Sequence, residues 1–500
     1  MDTIENRTFD EIQIGDNASL VHRLTKKDIE LFAVMSGDVN PAHVDEEYAR
    51  SDHFHRIIAH GMWGGAMIST LLGTKLPGPG SIYLEQSLKF EKPIAVGDVV
   101  TVSVKVLEKN PETHRVSLEC KCTNQRGEEV IVGTAKVLAP NEKIKRARIA
   151  LPEVHLYEHG RHLRQFIEMA HNFPPIPTAV IHPVDVNSLR GAIDAAKQNL
   201  IVPIFIGPRT KIHAVGREAN IDLSSYEIVS TKHSHEAADQ GVALARAGKV
   251  EALMKGSLHT DELMHAVLRD ETGLRTKRRM SHIFVLDVPE YPRPLLLTDA
   301  VVNIYPDLED KQDIVQNAID LARILGILQP KVAILSAVET VTPKLRSSLE
   351  AAALCKMADR GQISGGIVDG PLAFDYAVSE QAAKAKKILS PVAGRADILV
   401  VPDLESGNML AKQLEYLADA QSAGIVVGAA VPIALTSRAN DSQSKLASCA
   451  FALLMAHSGR KSPGECLGCA ERGSNETTLF SNSRNEVLNG RLICHCDKRL

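Results

Sequence analysis

The string SGDVNPAHVDEEYA, residues 36–49, constrains this chain more than any other, because it breaks what would otherwise be one long helix. A helical pattern runs over residues 25–50. Pro41 disfavours helical backbone at Asn40 and has no N–H to donate, so the chain has to turn there. Such a turn can set Asp38 and His43 side by side, although they are five positions apart. A carboxylate and an imidazole in one pocket suit proton transfer near neutral pH. Taken singly, Asp-Val-Asn-Pro is a turn and a histidine is a surface or satisfied core residue. The two together, in a broken helix, point to chemistry.

Downstream, AHGMWGGAMIST opens a second helix over residues 61–73. The free N–H groups of its first turn can bind a developing oxyanion, with Gly61 as the donor. Gly64, Gly65 and Ala66 are small enough for a sheet to wrap the helix closely. Strand-like alternation follows over residues 81–91, 99–109, 115–124 and 130–138, separated by the turn signals AVGD, NPET and QRGE. A mainly antiparallel sheet beside a buried helix is an α+β arrangement.

These residues reach a known family. SGDVNPAHVD, AHGM, LPGPGSIYLEQSLKF and PIAVGD, within residues 32–138, closely resemble the MaoC-like (R)-specific enoyl-CoA hydratases. The resemblance implies a hotdog fold and the reversible syn hydration of trans-2-enoyl-CoA to (R)-3-hydroxyacyl-CoA. It places the catalytic Asp and His on Asp38 and His43, the supporting glycine on Gly61 and a serine of the central helix on Ser69. The family carries a larger aliphatic residue where this chain has Ala42, which bears on acyl-chain fit. Hotdog domains commonly pair, so a homo-oligomer, at least a dimer, is expected from the resemblance.

A chain of 500 residues is too long for one hydrophobic core. Residues 1–140 are read as the first domain, 141–165 as a charged linker and 166–458 as a second domain. In the latter, short apolar runs alternate with helical patterns, which predicts an α/β domain with a largely parallel sheet. The runs fall at 178–183, 203–207, 252–256, 282–288, 332–337, 363–370, 398–402 and 424–432. Neither G-x-G-x-x-G nor G-x-x-x-x-G-K-[ST] occurs there, so a dinucleotide or P-loop site lacks its motif. Loops at strand ends carry the polar strings instead, and ligands of open α/β sheets gather at such ends. Lys255, Ser257, Arg275, Ser281 and Asp299 in these strings are candidate substrate contacts. Ser437-Arg438 after a strand suits an oxyanion, through a guanidinium fork and a hydroxyl. The basic stretch 275–279 can serve the same phosphates or the 3′-phosphate of CoA, or can be a solvated loop.

Together, LMKGSLHT, GIVDGPLAFDYAVS, SPVAGRADILVVPDLESGNML and GAAVPIALTSRANDSQSK resemble the phosphate acetyl/butyryltransferase family over residues 166–457. The family moves an acyl group from CoA to inorganic phosphate. Its fold, as the resemblance implies, has two α/β subdomains like the isocitrate and isopropylmalate dehydrogenases. The family's reacting Ser-Arg pair falls on Ser437 and Arg438. Acetyl-specific members have Asn-Asp-Leu before that pair and a carboxylate about seven positions after the serine. This chain has Ala434-Leu435-Thr436 and Ser444 there, a form closer to the butyryl branch, with Asp441 as the nearest acid for the thiol proton.

Residues 459–500 resemble neither domain and hold four of the eight cysteines, Cys466, Cys469, Cys494 and Cys496. They are expected to be an unstructured tail, with zinc as the competing reading. The other cysteines are read as reduced thiols of a cytoplasmic protein. The formal net charge of −4 gives no electrostatic case for nucleic acid or anionic membrane. No apolar run approaches the roughly 18 residues of a spanning helix, and the polar, acidic start is unlike a secretory signal. The expectation is a bifunctional enzyme with acyl-CoA and phosphate as substrates, no metal and no cofactor. One alternative keeps an active hydratase and lets the second domain only bind CoA and phosphate, as sensor or scaffold. Another makes the hotdog domain a thioesterase, against which the D-x-N-P-x-H motif argues.

Overall fold

The computed structural model describes residues 3–154, 156–435 and 441–460. Ser437, Arg438 and the cysteines of the tail therefore lie outside the described residues. The chain forms two compact units, Met1–Tyr157 and Glu158–Leu500. Among the described residues no helix is long and apolar enough to cross a membrane.

The first unit begins with strand β1 (Thr3–Glu5), which pairs with the last, β7 (Lys145–Ala147). Strands β2 (Asn17–Arg23), β3 (Ile82–Phe90), β4 (Val99–Asn110), β5 (Arg115–Thr123) and β6 (Glu129–Leu138) form one antiparallel sheet in the order β2-β4-β5-β6-β3. Val100, Val102, Val104 and Val106 of β4 are buried, as are Val116, Leu118, Cys120 and Cys122 of β5. This period of two gives one face of the sheet to the core. The core is completed by Trp63, Ile68, Leu71 and Leu72 of the helix Gly61–Thr74. Burying each such side chain is worth about 1.5–3 kcal/mol, so the helix and the sheet face stabilise the unit together. Gly64 is needed for the close approach: a Cβ there would sit 2.2 Å from Cδ1 of Ile131 on β6. This is the hotdog arrangement expected from the sequence. The helical pattern over 25–50 resolves into three helices, α1 (Lys26–Ser36), α2 (Pro41–Val44) and α3 (Glu46–Ser51), and Gly61–Thr74 is α4.

The second unit is built on one mixed sheet of eleven strands. In chain order they are β8 (Ile176–Ile181), β9 (Ile201–Gly207), β10 (Glu227–Ser230), β11 (Ala252–Lys255), β12 (Ser281–Asp287), β13 (Leu295–Thr298), β14 (Lys331–Leu335), β15 (Ile367–Leu372), β16 (Ile398–Val400), β17 (Gln421–Val427) and β18 (Ile433–Ala434). Their spatial order is β10-β9-β8-β11-β18-β17-β12-β13-β16-β14-β15. The two wings are parallel, as the βα rhythm predicts. The middle is not: β18 with β17, β17 with β12 and β12 with β13 run antiparallel. Helices cover the sheet, so β11 and β13 are buried along their whole length and read as unbroken apolar runs. Cys355 and Cys449 here, like Cys120 and Cys122, are free thiols. Burial pushes the thiol of Cys122 up to about 12 and that of Cys449 to about 12, so neither is a nucleophile near neutrality.

Candidate functional site

The sequence around Asp38 folds as a helix stop followed at once by a helix start. Gly37 ends α1 in the left-handed region (φ 74°), and its N–H returns to the Ala33 carbonyl. Asn40 starts α2 by accepting from the Ala42 N–H at 3.1 Å, with Pro41 in the first helical position. Between them Asp38 takes an Asx turn, its Oδ1 accepting from the Asn40 N–H at 3.2 Å. His43 then points back from α2. Its Nδ1 donates to the Ile58 carbonyl at 2.9 Å, since a carbonyl only accepts, so in the neutral ring Nε2 is the acceptor nitrogen.

His60 completes the group and was not picked out from the sequence, where it was read only as part of the AHGM string. It is 2% exposed. Its Nε2–H donates to the Asp38 carbonyl oxygen at 3.0 Å, and its ring lies 4.0 Å from that of His43, centroid to centroid. One nitrogen from each imidazole and one carboxylate oxygen of Asp38 fall within 4.8 Å of one another. Asp38 is exposed and His43 half-buried, so water and a substrate reach them. The AHG spacing, with a histidine directly before a helix-opening glycine, was the available signal.

α4 begins immediately after His60, and no side chain caps its first turn. The Gly61 N–H is thus an available donor at a positive helix end. A Cβ at Gly61 would come within 3.1 Å of the Phe90 ring, so a side chain there would push that ring aside. Ser69 is exposed on the same helix, two turns on. Gly61 borders His60; Ser69 makes no hydrogen bond to the Asp38 group among the described residues.

In the second unit, the ends of β8 and β11 come together. The Gly256 N–H donates to the Ile181 carbonyl and the Ser257 N–H to the His182 carbonyl, both at 2.9 Å. Lys255, the last residue of β11, is 6% exposed. Burial works against the charge of Asp185, yet hydrogen bonds from Ser257 and Ser188 hold its carboxyl below the usual range. Lys445 is buried close by, its Nζ donating to the Asn187 carbonyl at 3.2 Å. Burial pushes its pKa down, while Asp185 and Asp441 act the other way. Asp185, His182 and Lys445 were missed in the sequence. The D-x-x-S spacing of Asp185 and Ser188 marks a helix cap, which is what it forms.

Three of the expected site residues are held in hydrogen bonds within the fold. Ser281 is fully buried and accepts from Asn317 Nδ2 at 2.9 Å. Asp299 is 3% exposed, and its two oxygens accept from the N–H groups of Val301, Val302 and Asn303 and from Asn303 Nδ2. Burial nevertheless pushes its carboxyl up. Asp441 caps the helix Ser442–Arg460: Oδ1 accepts from the Ser444 N–H at 2.7 Å, and Oδ2 from Gln421 Nε2 at 3.4 Å. Both oxygens accept hydrogen bonds.

The stretch 275–279 lines a cavity of about 470 Å³ with Asn303, Glu309, Asp310 and Asp313. Its three arginines are in ion pairs. Arg275 pairs with Asp270, Arg278 with Asp320, and Arg279 with Asp310 at 3.3 Å.

Residues 13–125 match the family described as MaoC like domain, and residues 235–453 match the family described as phosphate acetyl/butaryl transferase. The phosphate acetyltransferase of Rhizobium meliloti is 61% identical over 282 residues, 56% of this chain and 89% of that protein. The phosphate butyryltransferase of Clostridium acetobutylicum is 42% identical over 268 residues, 54% of this chain and 89% of that protein. Among solved structures, the R-hydratase PhaJ1 of Pseudomonas aeruginosa shares 40% sequence identity, over 31% of this chain and 99% of that one, with a TM-score of 0.30.

Proposed function

Because the chain belongs to the phosphate acetyl/butyryltransferase family and carries a MaoC-like domain ahead of it, we propose that one polypeptide performs two reactions on CoA thioesters. The first unit hydrates trans-2-enoyl-CoA reversibly to (R)-3-hydroxyacyl-CoA. The second transfers an acyl group from CoA to phosphate, giving acyl phosphate and free CoA.

The observation that carries the hydratase reading is the meeting of Asp38 and His43 across a break in helix, with the His43 tautomer fixed by the Ile58 carbonyl. Nε2 of His43 takes a proton from water while the Asp38 carboxylate accepts from the other water hydrogen and orients the attack on Cβ. The Gly61 N–H stabilises the enolate on the thioester oxygen. The proton held at His43 returns to Cα on the same face, which gives syn addition. Ser69 lines the acyl side of the helix. Crotonyl-CoA hydration, with chiral analysis of the product, tests this directly.

For the transferase, Arg438 binds phosphate and offsets developing charge, and Ser437 donates to the tetrahedral oxyanion. Lys255 and Ser257, at the ends of β8 and β11, and Arg275 serve CoA or phosphate. Asp441 is assigned to capping the helix after this segment. The acetyltransferase relative is more similar to the chain than the butyryltransferase, so acetyl-CoA is the first donor to assay. Phosphate-dependent CoA release from acetyl-CoA and butyryl-CoA is the test, and binding without release would favour a sensor or scaffold.

The wider reading keeps a cytoplasmic enzyme without cofactor, and a transferase half with two α/β subdomains like the isocitrate dehydrogenases. It also keeps a homo-oligomer. Strand β3 is a sheet edge with Ile82, Leu84 and Phe90 exposed, a surface that pairing with a second copy would cover.

A further inference from the structure

The group at the first site is also a metal-ligand set. His43 has Nδ1–H committed to the Ile58 carbonyl, so the lone pair of Nε2 is free. His60 has the opposite nitrogen committed, Nε2–H to the Asp38 carbonyl, and its buried Nδ1 has no hydrogen-bond partner among the described residues. Asp38 uses Oδ1 for the Asn40 N–H and keeps further carboxylate lone pairs. Two neutral imidazoles, each fixed in one tautomer by a backbone carbonyl, are how zinc-binding histidines are usually held. A buried imidazole nitrogen without a partner is an unfavourable arrangement that a cation would relieve.

We propose that Asp38, His43 and His60 bind a divalent transition metal ion, zinc foremost, and that the bound ion shuts off hydration. Two nitrogens and one carboxylate oxygen suit zinc, whereas calcium and magnesium demand oxygen ligands throughout. One nitrogen of each imidazole and one Asp38 carboxylate oxygen lie within 4.8 Å of one another. Zinc bonds of about 2.0–2.1 Å require about 3.3 Å between ligand atoms, so binding draws the group together, the exposed Asp38 side chain by rotation and the two rings by small shifts. The ion would occupy the His43 lone pair and the Asp38 carboxylate, the same atoms that take the proton and hold the water. The binding stands on geometry alone; the inhibition rests on the hydratase reading.

The test uses the full chain with C466S, C469S, C494S and C496S, which removes competing tail thiolates. Zinc is titrated while crotonyl-CoA hydration and phosphate-dependent CoA release are followed in one preparation. In parallel, cobalt(II) is titrated and its visible absorption recorded. The expected result is a loss of hydration of at least about tenfold, reversed by a chelator, with acyl transfer unchanged. Cobalt should give tetrahedral bands saturating near about one equivalent, and H60Q should weaken its binding by more than about tenfold while CoA release persists. Absence of cobalt bands, undiminished binding in H60Q, or parallel loss of both activities overturns the proposal. If the metal-free chain hydrates no crotonyl-CoA, the functional reading fails, and the cobalt titration still decides the site.

Discussion

The Nε2–H of His60 donates to the backbone carbonyl of Asp38 at 3.0 Å, tying the peptide of that carboxylate to the residue that opens the central helix. The carboxylate itself is exposed and turned by only one bond, from the Asn40 N–H. His60 is therefore a positioning residue for Asp38. Misplacement by about 1 Å can reduce a rate 10²-fold, so His60→Ala should lower kcat for hydration by about 10–100-fold with little change in KM. His60→Gln, whose amide can donate to the same carbonyl, should recover part of that loss. Steady-state kinetics on crotonyl-CoA separates these outcomes.

The sheet around α4 makes a second prediction. A Cβ at Gly133 on β6 would lie 1.9 Å from the Ser87 carbonyl oxygen of β3, a backbone atom that cannot move aside. Gly133→Ala should destabilise the first unit by about 3 kcal/mol. Trp63 is the single tryptophan of the chain and is buried against this sheet, so its fluorescence during denaturation reads the first unit.

His282 makes a third. Its ring is fully buried beside Phe284, and neither nitrogen has a partner among the described residues. Burial pushes its pKa from 6.5 down to about 3. Between those values the unfolded chain binds a proton that the folded chain does not. Stability from this residue is therefore present above 6.5 and is lost as pH falls, by roughly 1.4 kcal/mol per pH unit. His282→Leu should flatten that acid-side slope, measured as denaturation midpoints of the second unit at about pH 7 and about pH 5.

Asp441 makes a fourth. As a helix cap it should tolerate Asn, which caps equally well, and Asp441→Ala should cost about 1 kcal/mol. Phosphate-dependent CoA release by Asp441→Asn should keep the wild-type rate and pH profile. A large loss of rate in that variant, with stability intact, would restore the proton-transfer role.

The parts of this molecule written in local sequence were readable in advance. The Gly37 stop, the Asn40-Pro41 start and the alternation of β4 to β6 are fixed by residues close in the chain. So are the apolar runs of β8, β9, β11 and β12. Short strands were not readable: β1 and β7 have three residues each, β18 two and β10 four, too few to show a period. The site divides the same way. Asp38 and His43 stand in one short motif, whereas His60 joins them from 22 positions away from Asp38. The hydrogen bonds of Ser281 and Asp299 were equally hidden. Polar residues in a strand-end loop look like ligand contacts, and only the packed structure shows their groups used up by Asn317 and the 301–303 backbone.

The central claim is that Asp38 and His43 are the acid/base pair of an (R)-specific hydratase on a chain that also transfers acyl groups to phosphate. The most direct measurement is crotonyl-CoA hydration by the full-length Asp38→Asn protein, with phosphate-dependent CoA release assayed alongside. Loss of the carboxylate that orients the attacking water should lower hydration by about 10²-fold or more and leave acyl transfer at the wild-type rate. Hydration by Asp38→Asn near the wild-type rate would contradict the account.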